Sequence, residues 1–246
     1  MDEITEDAAL DGRVKLRQPA RGYRAGLDAA LLAAACDAAD GARVIEAGCG
    51  AGAALLAAAV RRPGVRFTGV ERDAAAAALG RENVALNGLA TRVEILEGDV
   101  AARFSALELE PFDAAMANPP FFDDSTSLRG PAAERRGAWL ADDGLEAWIA
   151  FLTKGVREGG TITVIHRADR LGDLLALLGV KTGSFQVRPV HPFADEPAKR
   201  VIVRAVKTGK APLVLLPPLI VHDREGDKHT EAAEAILRGR ASLDWL

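Results

Sequence analysis

The stretch VIEAGCGAG, residues 44–52, decides the fold because it passes from an apolar strand into a glycine loop within nine residues. Valine and isoleucine are typical of buried strands, and glycine lets a backbone approach a ligand closely. The run AALLAAAVRR that follows has the pattern of a helix. A strand, a glycine loop and a helix in this order indicate an open α/β sheet, in which ligands bind beyond the carboxyl ends of the strands.

The alternation of strand and helix continues on both sides of this stretch. A helix capped by Asp28 is predicted before it, and the later helices are predicted over 73–86, 145–156, 171–178 and 230–237. Gly159-Gly160 is expected to end the helix over 145–156. Further strands are predicted at 65–71, 92–99, 111–118 and 161–166, with a final pair at 184–192 and 199–207. The pattern predicts an α/β fold with a mostly parallel seven-stranded sheet and helices on both faces.

Length and composition fit one domain over residues 1–246, with a basic N-terminal arm at about 1–27. The acidic start MDEITEDAAL does not resemble a secretory signal, and the longest apolar run, Ala29–Cys36, is too short to span a bilayer. A cytoplasmic location is therefore expected, without a membrane. The two cysteines are too few for a zinc site, and the four histidines are interpreted as structural or surface residues, so no metal is expected.

Three acids follow successive predicted strands. Glu46 precedes the glycine loop, Glu71 ends the second strand and Asp99 ends the third. The spacing G-x-G-x-G lacks the G-x-G-x-x-G arrangement that binds a pyrophosphate, and such a set of acids would repel phosphates. A cationic sulfonium nucleoside would instead be attracted. The ordered acids resemble those of S-adenosylmethionine-dependent methyltransferases of the Rossmann-like class I type.

A second motif, NPPF at 118–121, follows the predicted fourth strand. Two prolines end a central strand abruptly and fix the backbone beyond it. The motif resembles the signature of enzymes that methylate planar nitrogens. That resemblance implies catalytic roles for Asn118, Pro119, Pro120 and Phe121: the amide and carbonyl oxygens accept both N–H bonds of the amine, and the ring stacks on the base.

The segment QPARGYRAGLDAALLAA, together with the two motifs, is similar to the tRNA N6-adenine methyltransferase family that modifies the adenosine 3′ of the anticodon in a valine tRNA. The resemblance implies that S-adenosyl-L-methionine is the cofactor and tRNA the partner. The N-terminal segment is expected to fold over the methionine end of the cofactor. The implied cofactor-binding residues are Glu46, Gly48, Gly50, Glu71, Arg72, Asp99, Val100, Asn118, Tyr23 and Arg24.

Other functions share the same motif chemistry. The alternatives are a glutamine N5-methyltransferase acting on a protein, an rRNA guanine-N2 methyltransferase, a DNA adenine methyltransferase and a catalytically silent nucleoside-binding module. The net charge of −4 does not advertise a polyanionic partner. However, Arg13–Arg24 carries five basic residues and no acid, and Lys181–Lys210 carries seven basic residues against two acids. These two basic segments are the predicted contacts to tRNA.

Overall fold

The strands and helices of the protein alternate through most of the chain in the computed structural model, which describes residues 3–20, 26–120, 144–226 and 228–246. In chain order the elements are β1 Ile4–Ala9, β2 Val14–Pro19, α1 Leu27–Ala35, β3 Arg43–Ala47, α2 Ala53–Arg61, β4 Arg66–Glu71, α3 Ala74–Leu86, β5 Val93–Glu97, β6 Phe112–Ala117, α4 Leu145–Gly155, β7 Val156–Arg167, α5 Leu171–Gly179, β8 Thr182–His191, β9 Arg200–Lys207, β10 Val214–Leu215, β11 Leu219–Ile220 and α6 Glu231–Leu237.

The main sheet contains the predicted seven strands in the order β8-β9-β7-β6-β3-β4-β5. The two-residue strands β10 and β11 both pair with β8 and extend that edge, which the sequence analysis did not predict. Strands β5, β4, β3, β6 and β7 run parallel, whereas β9 is antiparallel to both β7 and β8. The sheet is therefore mostly parallel, as predicted, and the predicted final pair of strands forms an antiparallel hairpin at one side of it.

Each face of the sheet has its own hydrophobic core. On one face, α1 and α2 bury leucines such as Leu31 and Leu55 against Val44 and Phe67 of the sheet. On the other face, α4 and α5 bury side chains that include Trp148, Phe151 and Leu174. Consecutive residues of β3 join opposite cores, since Val44 belongs to the first and Ile45 to the second. This alternation places helices on both faces, in agreement with the sequence pattern.

Two local predictions were wrong. The α4 helix ends at Gly155, and Gly159-Gly160 lies inside β7, where the pairing with β6 shifts register between Phe112 and Ala114. Gly159 has φ +74°, and a Cβ on Gly160 would lie 2.6 Å from the Asp113 carbonyl oxygen. The glycines therefore form an irregularity in a strand. Asp28 does not cap α1, because the helix begins one residue earlier, with Gly26 at the N-cap.

Residues 4–19 form an antiparallel hairpin, β1–β2, within the segment expected to be a basic arm. Leu10, Val14 and Leu16 of this hairpin are buried in the core that also contains α1 and α2. The turn is tied to the C-terminal part of the chain, because the Arg13 guanidinium donates to the carbonyl oxygens of Arg238 and Gly239. The hairpin is therefore packed against the main sheet's helices.

Candidate active site

The predicted site residues follow the carboxyl ends of neighbouring parallel strands. Register pairs Ala47 at the end of β3 with both Val70 of β4 and Ala117 of β6. The chain proceeds from β3 to β4 and β5 on one side and then returns to place β6 on the other. This reversal of strand order at β3 is the topological switch point at which open α/β sheets bind their ligands. The glycine loop and the NPP segment thus flank the switch point.

The glycine loop leaves β3 with three left-handed residues. Gly48, Gly50 and Gly52 have φ values of +64°, +54° and +87°, a region in which side chains other than glycine are strained. A Cβ on Gly48 would collide with the Trp148 ring, and one on Gly52 would touch Ile95 and Leu56. At Gly50, apart from the glycine and its chain neighbours, no atom of the described part of the chain lies within 4 Å of the corresponding position. The loop is therefore packed at both ends and open at its middle glycine.

Glu71 is oriented by the loop itself. One of its carboxylate oxygens accepts the Gly50 backbone N–H at 2.8 Å, and the other accepts the Asp73 N–H at 2.9 Å. Because each carboxylate oxygen accepts more than one hydrogen bond, both retain capacity for a ligand hydroxyl. Asp73 caps α3 through the Ala76 N–H, so the β4–α3 connection is held by successive side-chain bonds.

Asp99 lies two residues beyond β5, whose last residue Glu97 pairs with Glu71. Its carboxylate accepts the Ala101 N–H at 2.8 Å and lies 4.0 Å from the Arg72 guanidinium. Asp99 and Arg72 are both more than a third exposed at their side chains, so their attraction is weak. Val100, which follows, is buried. The structure thus places Arg72, Asp99 and Val100 along the tips of β4 and β5.

Glu46 differs from the other two acids because its side chain is only 3% exposed. Its Oε2 atom has no hydrogen-bond partner among the residues that the structure describes. Burial, followed by the charge of Glu71, raises the pKa of Glu46 well above its usual range. The neutral form of Glu46 is favoured. The acids that would attract a cationic ligand are therefore Glu71 and Asp99. A cation bound nearby would lower the pKa of Glu46 again.

The NPP segment begins directly after β6. Pro119 is buried, whereas Asn118 and Pro120 are partly exposed. Since Ala117 pairs with Ala47, the Asn118 backbone continues the edge formed by Gly48. Phe121, Tyr23 and Arg24 lie outside the described residues. Their predicted roles, and those of the other site residues, remain predictions.

Trp148 of α4 is a site neighbour that lies in the helix predicted over 145–156 and was not predicted to be near the site. The far edge of its indole occupies the space that a side chain on Gly48 would need. Trp148 is 7% exposed, and none of the described residues forms a hydrogen bond with its Nε1 atom. An apolar stripe predicts that such a residue is buried, but only the packing of α4 shows which loop it contacts. Trp148 thus requires glycine at position 48.

The Lys181–Lys210 segment has cations at both ends of the strands. In β9, Arg200 lies at the end beside the candidate site and Lys207 lies at the other end. The two residues are about 23 Å apart at roughly 3.3 Å per residue. Three of the segment's seven cations form ion pairs within the described part of the fold. Arg200 pairs with Asp28, Arg204 with Asp37 and Lys207 with Glu158.

The described part of Arg13–Arg24 is also engaged in structural contacts. Arg13 binds carbonyl oxygens near α6, and Arg17 lies 3.3 Å from Glu6. Arg21 lies outside the described residues, as does Arg24. Neither basic segment therefore forms one continuous cationic surface within the residues that the structure describes.

None of the helices in the described residues combines the length and apolar character that crossing a membrane requires. The same residues contain no group of three or more His, Cys, Asp or Glu side chains placed to hold a metal ion.

Known proteins are similar to this chain in sequence and in fold. The family described as "Methyltransferase small domain" matches residues 24–134. The crystal structure of a predicted O-methyltransferase from Agrobacterium tumefaciens is similar with a TM-score of 0.73 at 29% identity, covering 88% of this chain and 98% of that chain.

Two curated relatives have different printed activities. A tRNA1(Val) (adenine(37)-N6)-methyltransferase from Yersinia enterocolitica is 31% identical over 179 residues, which cover 72% of this chain and 69% of that protein. A release factor glutamine methyltransferase from Chlorobaculum tepidum is 28% identical over 165 residues, or 64% of this chain. The chain spans only 56% of the length of the second relative.

The strand order, the glycine loop at the switch point and the similar solved structure define a Rossmann-like class I methyltransferase fold. Within that class, the identity and coverage of the Yersinia protein place the chain more narrowly. It belongs to the family of the tRNA1(Val) (adenine(37)-N6)-methyltransferases, as the sequence resemblance predicted.

Proposed function

We propose that the protein is an S-adenosyl-L-methionine-dependent methyltransferase that acts in the cytoplasm on the exocyclic N6 amine of an adenine in tRNA. The adenosine 3′ of the anticodon of a valine tRNA is the proposed target. The observation that carries this proposal is the junction of two motifs at one switch point: Asn118 and Pro119 follow β6, and the glycine loop follows the adjacent β3. Family membership supports both the cofactor and the substrate class.

The strand tips fit the proposed cofactor. Gly50 leaves open space at the middle of the loop, so a ligand can approach the backbone there. Glu71 and Asp99 are held by backbone N–H groups and present acceptors suited to ribose hydroxyls and to the edge of an adenine. In β3, just before the loop, the buried Oε2 atom of Glu46 has no hydrogen-bond partner among the described residues. When bound, S-adenosylmethionine supplies a methyl group on a positively charged sulfur.

The residues after β6 would hold the target amine. Its lone pair is delocalised into the adenine ring, which makes the nitrogen a poor nucleophile. The Asn118 side-chain oxygen and the Pro119 carbonyl oxygen can each accept one of its N–H bonds and so favour a pyramidal nitrogen. Pro119 and Pro120 fix the backbone that carries these acceptors. Correct alignment would be worth on the order of 7 to 11 kcal/mol of the barrier. When the methyl group leaves the sulfur, a neutral thioether would remain and the methylated nitrogen would carry the positive charge. That cationic nitrogen readily loses its proton to water, so no strong base is needed.

The RNA must present its base outside the helical stack for the amine to reach this segment. We propose that Lys199 and Arg200, at the same edge of the sheet, contact the phosphates together with Arg21 and Arg24. The cations near the opposite edge, including Lys207 and Lys210, are not part of this proposed contact. For Lys181–Lys210, this assignment selects the two cations on the side of the site.

Glutamine N5-methylation of a release factor is the second candidate, because the Chlorobaculum relative carries that printed name at 28% identity. A side-chain amide presents a planar nitrogen to the same acceptors. Purified protein incubated with methyl-labelled cofactor and either tRNA or a release factor would separate the two candidates. Label in tRNA supports our proposal, whereas label only in the release factor supports the alternative.

Mass spectrometry of tRNA nucleosides from cells with and without the protein tests the substrate directly. We expect N6-methyladenosine in the valine tRNA fraction to disappear without the protein and to return with the wild-type gene. Restoration should fail with an Asn118→Ala gene. Unchanged nucleosides in tRNA, with a loss from rRNA, would contradict the proposed substrate.

A further inference from the structure

Asn83 of α3 and Asn87, the C-cap of that helix, face the outer edge of strand β2. Asn87 accepts the Lys15 backbone N–H at 2.8 Å and donates to the Lys15 carbonyl oxygen at 2.7 Å. Asn83 makes the same pair of bonds with Arg17, at 2.8 and 2.9 Å. Four helical residues rise about 6 Å, and two strand residues advance about 7 Å, so the spacings match. The two amides therefore replace a neighbouring strand along the edge of β2.

Asn83 also reaches the glycine loop. Its Nδ2 atom donates to the Ala51 carbonyl oxygen at 2.9 Å, and Ala51 lies between Gly50 and Gly52. A carboxamide has two amide hydrogens, and here one serves Arg17 and the other Ala51. Asn83 is fully buried, so neither bond can be replaced readily by water. Asn87 has no such link, since its further bond goes to the Asn83 carbonyl oxygen of α3.

The α3 helix supports the loop closely at this point. A Cβ on Gly80, one turn before Asn83, would lie 3.2 Å from the Gly50 carbonyl oxygen and 2.6 Å from the Ile95 side chain. Gly80 and Asn83 thus lie on the helix face that contacts the loop. The backbone of Gly50 in turn donates to Glu71, the proposed ribose acceptor. A displacement of Ala51 would therefore be transmitted to the proposed cofactor contacts.

We propose that Asn83 is a positioning residue that couples the docking of the β1–β2 hairpin to the conformation of the glycine loop. This inference rests on the proposed function, because the ligand of the loop is S-adenosylmethionine. The same amide holds both partners, so the loop keeps its binding conformation only while the hairpin is seated. Coupling between two sites is reciprocal, and the cofactor should therefore stabilise the hairpin as well.

A matched pair of variants separates coupling from simple docking. Asn83→Asp and Asn87→Asp each retain the acceptor for β2 and lose both donor bonds, but only the first breaks the link to Ala51. Calorimetry with S-adenosylmethionine should show affinity reduced at least tenfold in Asn83→Asp and changed less than twofold in Asn87→Asp. Circular dichroism and thermal unfolding establish that both variants are folded at the temperature of the measurement.

Hydrogen exchange gives a second measurement that does not depend on a variant. Adding cofactor to the wild-type protein should slow amide exchange at least threefold across residues 14–19, and this protection should be lost in Asn83→Asp. If Asn83→Asp does not fold, the wild-type measurement decides. Exchange in residues 14–19 that is unaffected by bound cofactor would overturn the coupling.

The possible failures are distinguishable. If the wild-type protein takes up no S-adenosylmethionine, the proposed function is wrong and the coupling fails with it. If the wild-type protein binds S-adenosylmethionine and both variants bind it as tightly as the wild type does, only the coupling is wrong. Equal losses in both variants would show that hairpin docking, rather than the Asn83 link to the loop, controls affinity.

Discussion

The parallel and antiparallel halves of the sheet use their charged residues differently. At the tips of β4 and β5, Glu71 and Asp99 accept bonds from backbone N–H groups, and the donor to Glu71 is Gly50 of the glycine loop. In the antiparallel half, Arg204 and Lys207 pair with acids on neighbouring elements. The first arrangement orients acceptors, and the second neutralises charge within the fold. Density of charge in the sequence therefore does not identify the functional half.

The largest expected effect lies in the parallel half, at Asn118. Replacing Asn118 with alanine removes an acceptor for the target amine, whereas the glycine loop and Glu71 remain. Loss of one preorganised polar contact costs about 2.7 to 4 kcal/mol in comparable sites, so we expect turnover to fall roughly 100- to 1,000-fold. Single-turnover methyl transfer measures the rate, and calorimetry should show nearly unchanged cofactor affinity.

Asp113 provides a control within the same strand. It lies near the amino end of β6, where it accepts bonds from the Arg43 N–H and the Arg157 guanidinium. Asp113→Asn should lower stability while turnover per folded molecule stays within twofold. Near-normal turnover by Asn118→Ala would refute the assignment of the NPP segment.

A smaller effect is expected from His166 at the end of β7, where the two halves meet. Burial, followed by the charges of Arg200 and Arg167, lowers the pKa of His166 from 6.5 to about 4. The unfolded chain therefore binds a proton at His166 between about pH 6.5 and 4, while the folded protein does not. Stability should fall by about 3 kcal/mol across this range as the pH is lowered.

Urea unfolding at several pH values measures this contribution. The expected result for His166→Gln is a shallower loss of stability between pH 6.5 and 4 than in the wild-type protein. The two proteins should run parallel above pH 7, because the histidine is neutral in both states there. An identical slope for variant and wild type would show that other groups cause the acid sensitivity.

Arg204 tests whether the paired cations of the antiparallel half are structural. Its guanidinium lies 2.8 Å from Asp37, and only 16% of its side chain is exposed. Arg204→Met retains much of the apolar packing but leaves Asp37 without this partner, so we expect a loss of about 2 kcal/mol in the free energy of unfolding. Binding of tRNA should remain within twofold. Strongly weakened binding at unchanged stability would reverse this interpretation.

The smallest expected effect compares two exposed lysines at opposite edges. Lys199 immediately precedes β9 on the side of the site, and Lys210 lies beyond its other end. Lys199→Ala should reduce the slope of log affinity for tRNA against log salt by about one, with little change in stability. Lys210→Ala is the matched control and should leave the slope unchanged. Equal effects would place the RNA elsewhere.

Sequence patterns predicted the strands and helices along the chain better than the contacts between them. The apolar strands, the glycine loop and the helices that alternate with the strands follow from local composition. Parallel strands necessarily bring their carboxyl ends together. The hairpin was not predicted, because a short segment with several cations resembles a solvated arm. The pair Asn83 and Asn87 was visible at a helical spacing, but the same pattern also fits the polar end of an isolated helix.

The sequence by itself determined the class of fold, the family and the position of the two motifs at strand ends, since these depend on residue type and spacing along the chain. Tertiary structure alone decided that Glu46 is buried, that Trp148 fills the space beside Gly48 and that Asn83 joins the hairpin to the loop. It also placed the cations of Lys181–Lys210 at both ends of the strands. The physical reason is that burial, pairing and pKa depend on neighbours from distant parts of the chain, which spacing in the sequence does not specify.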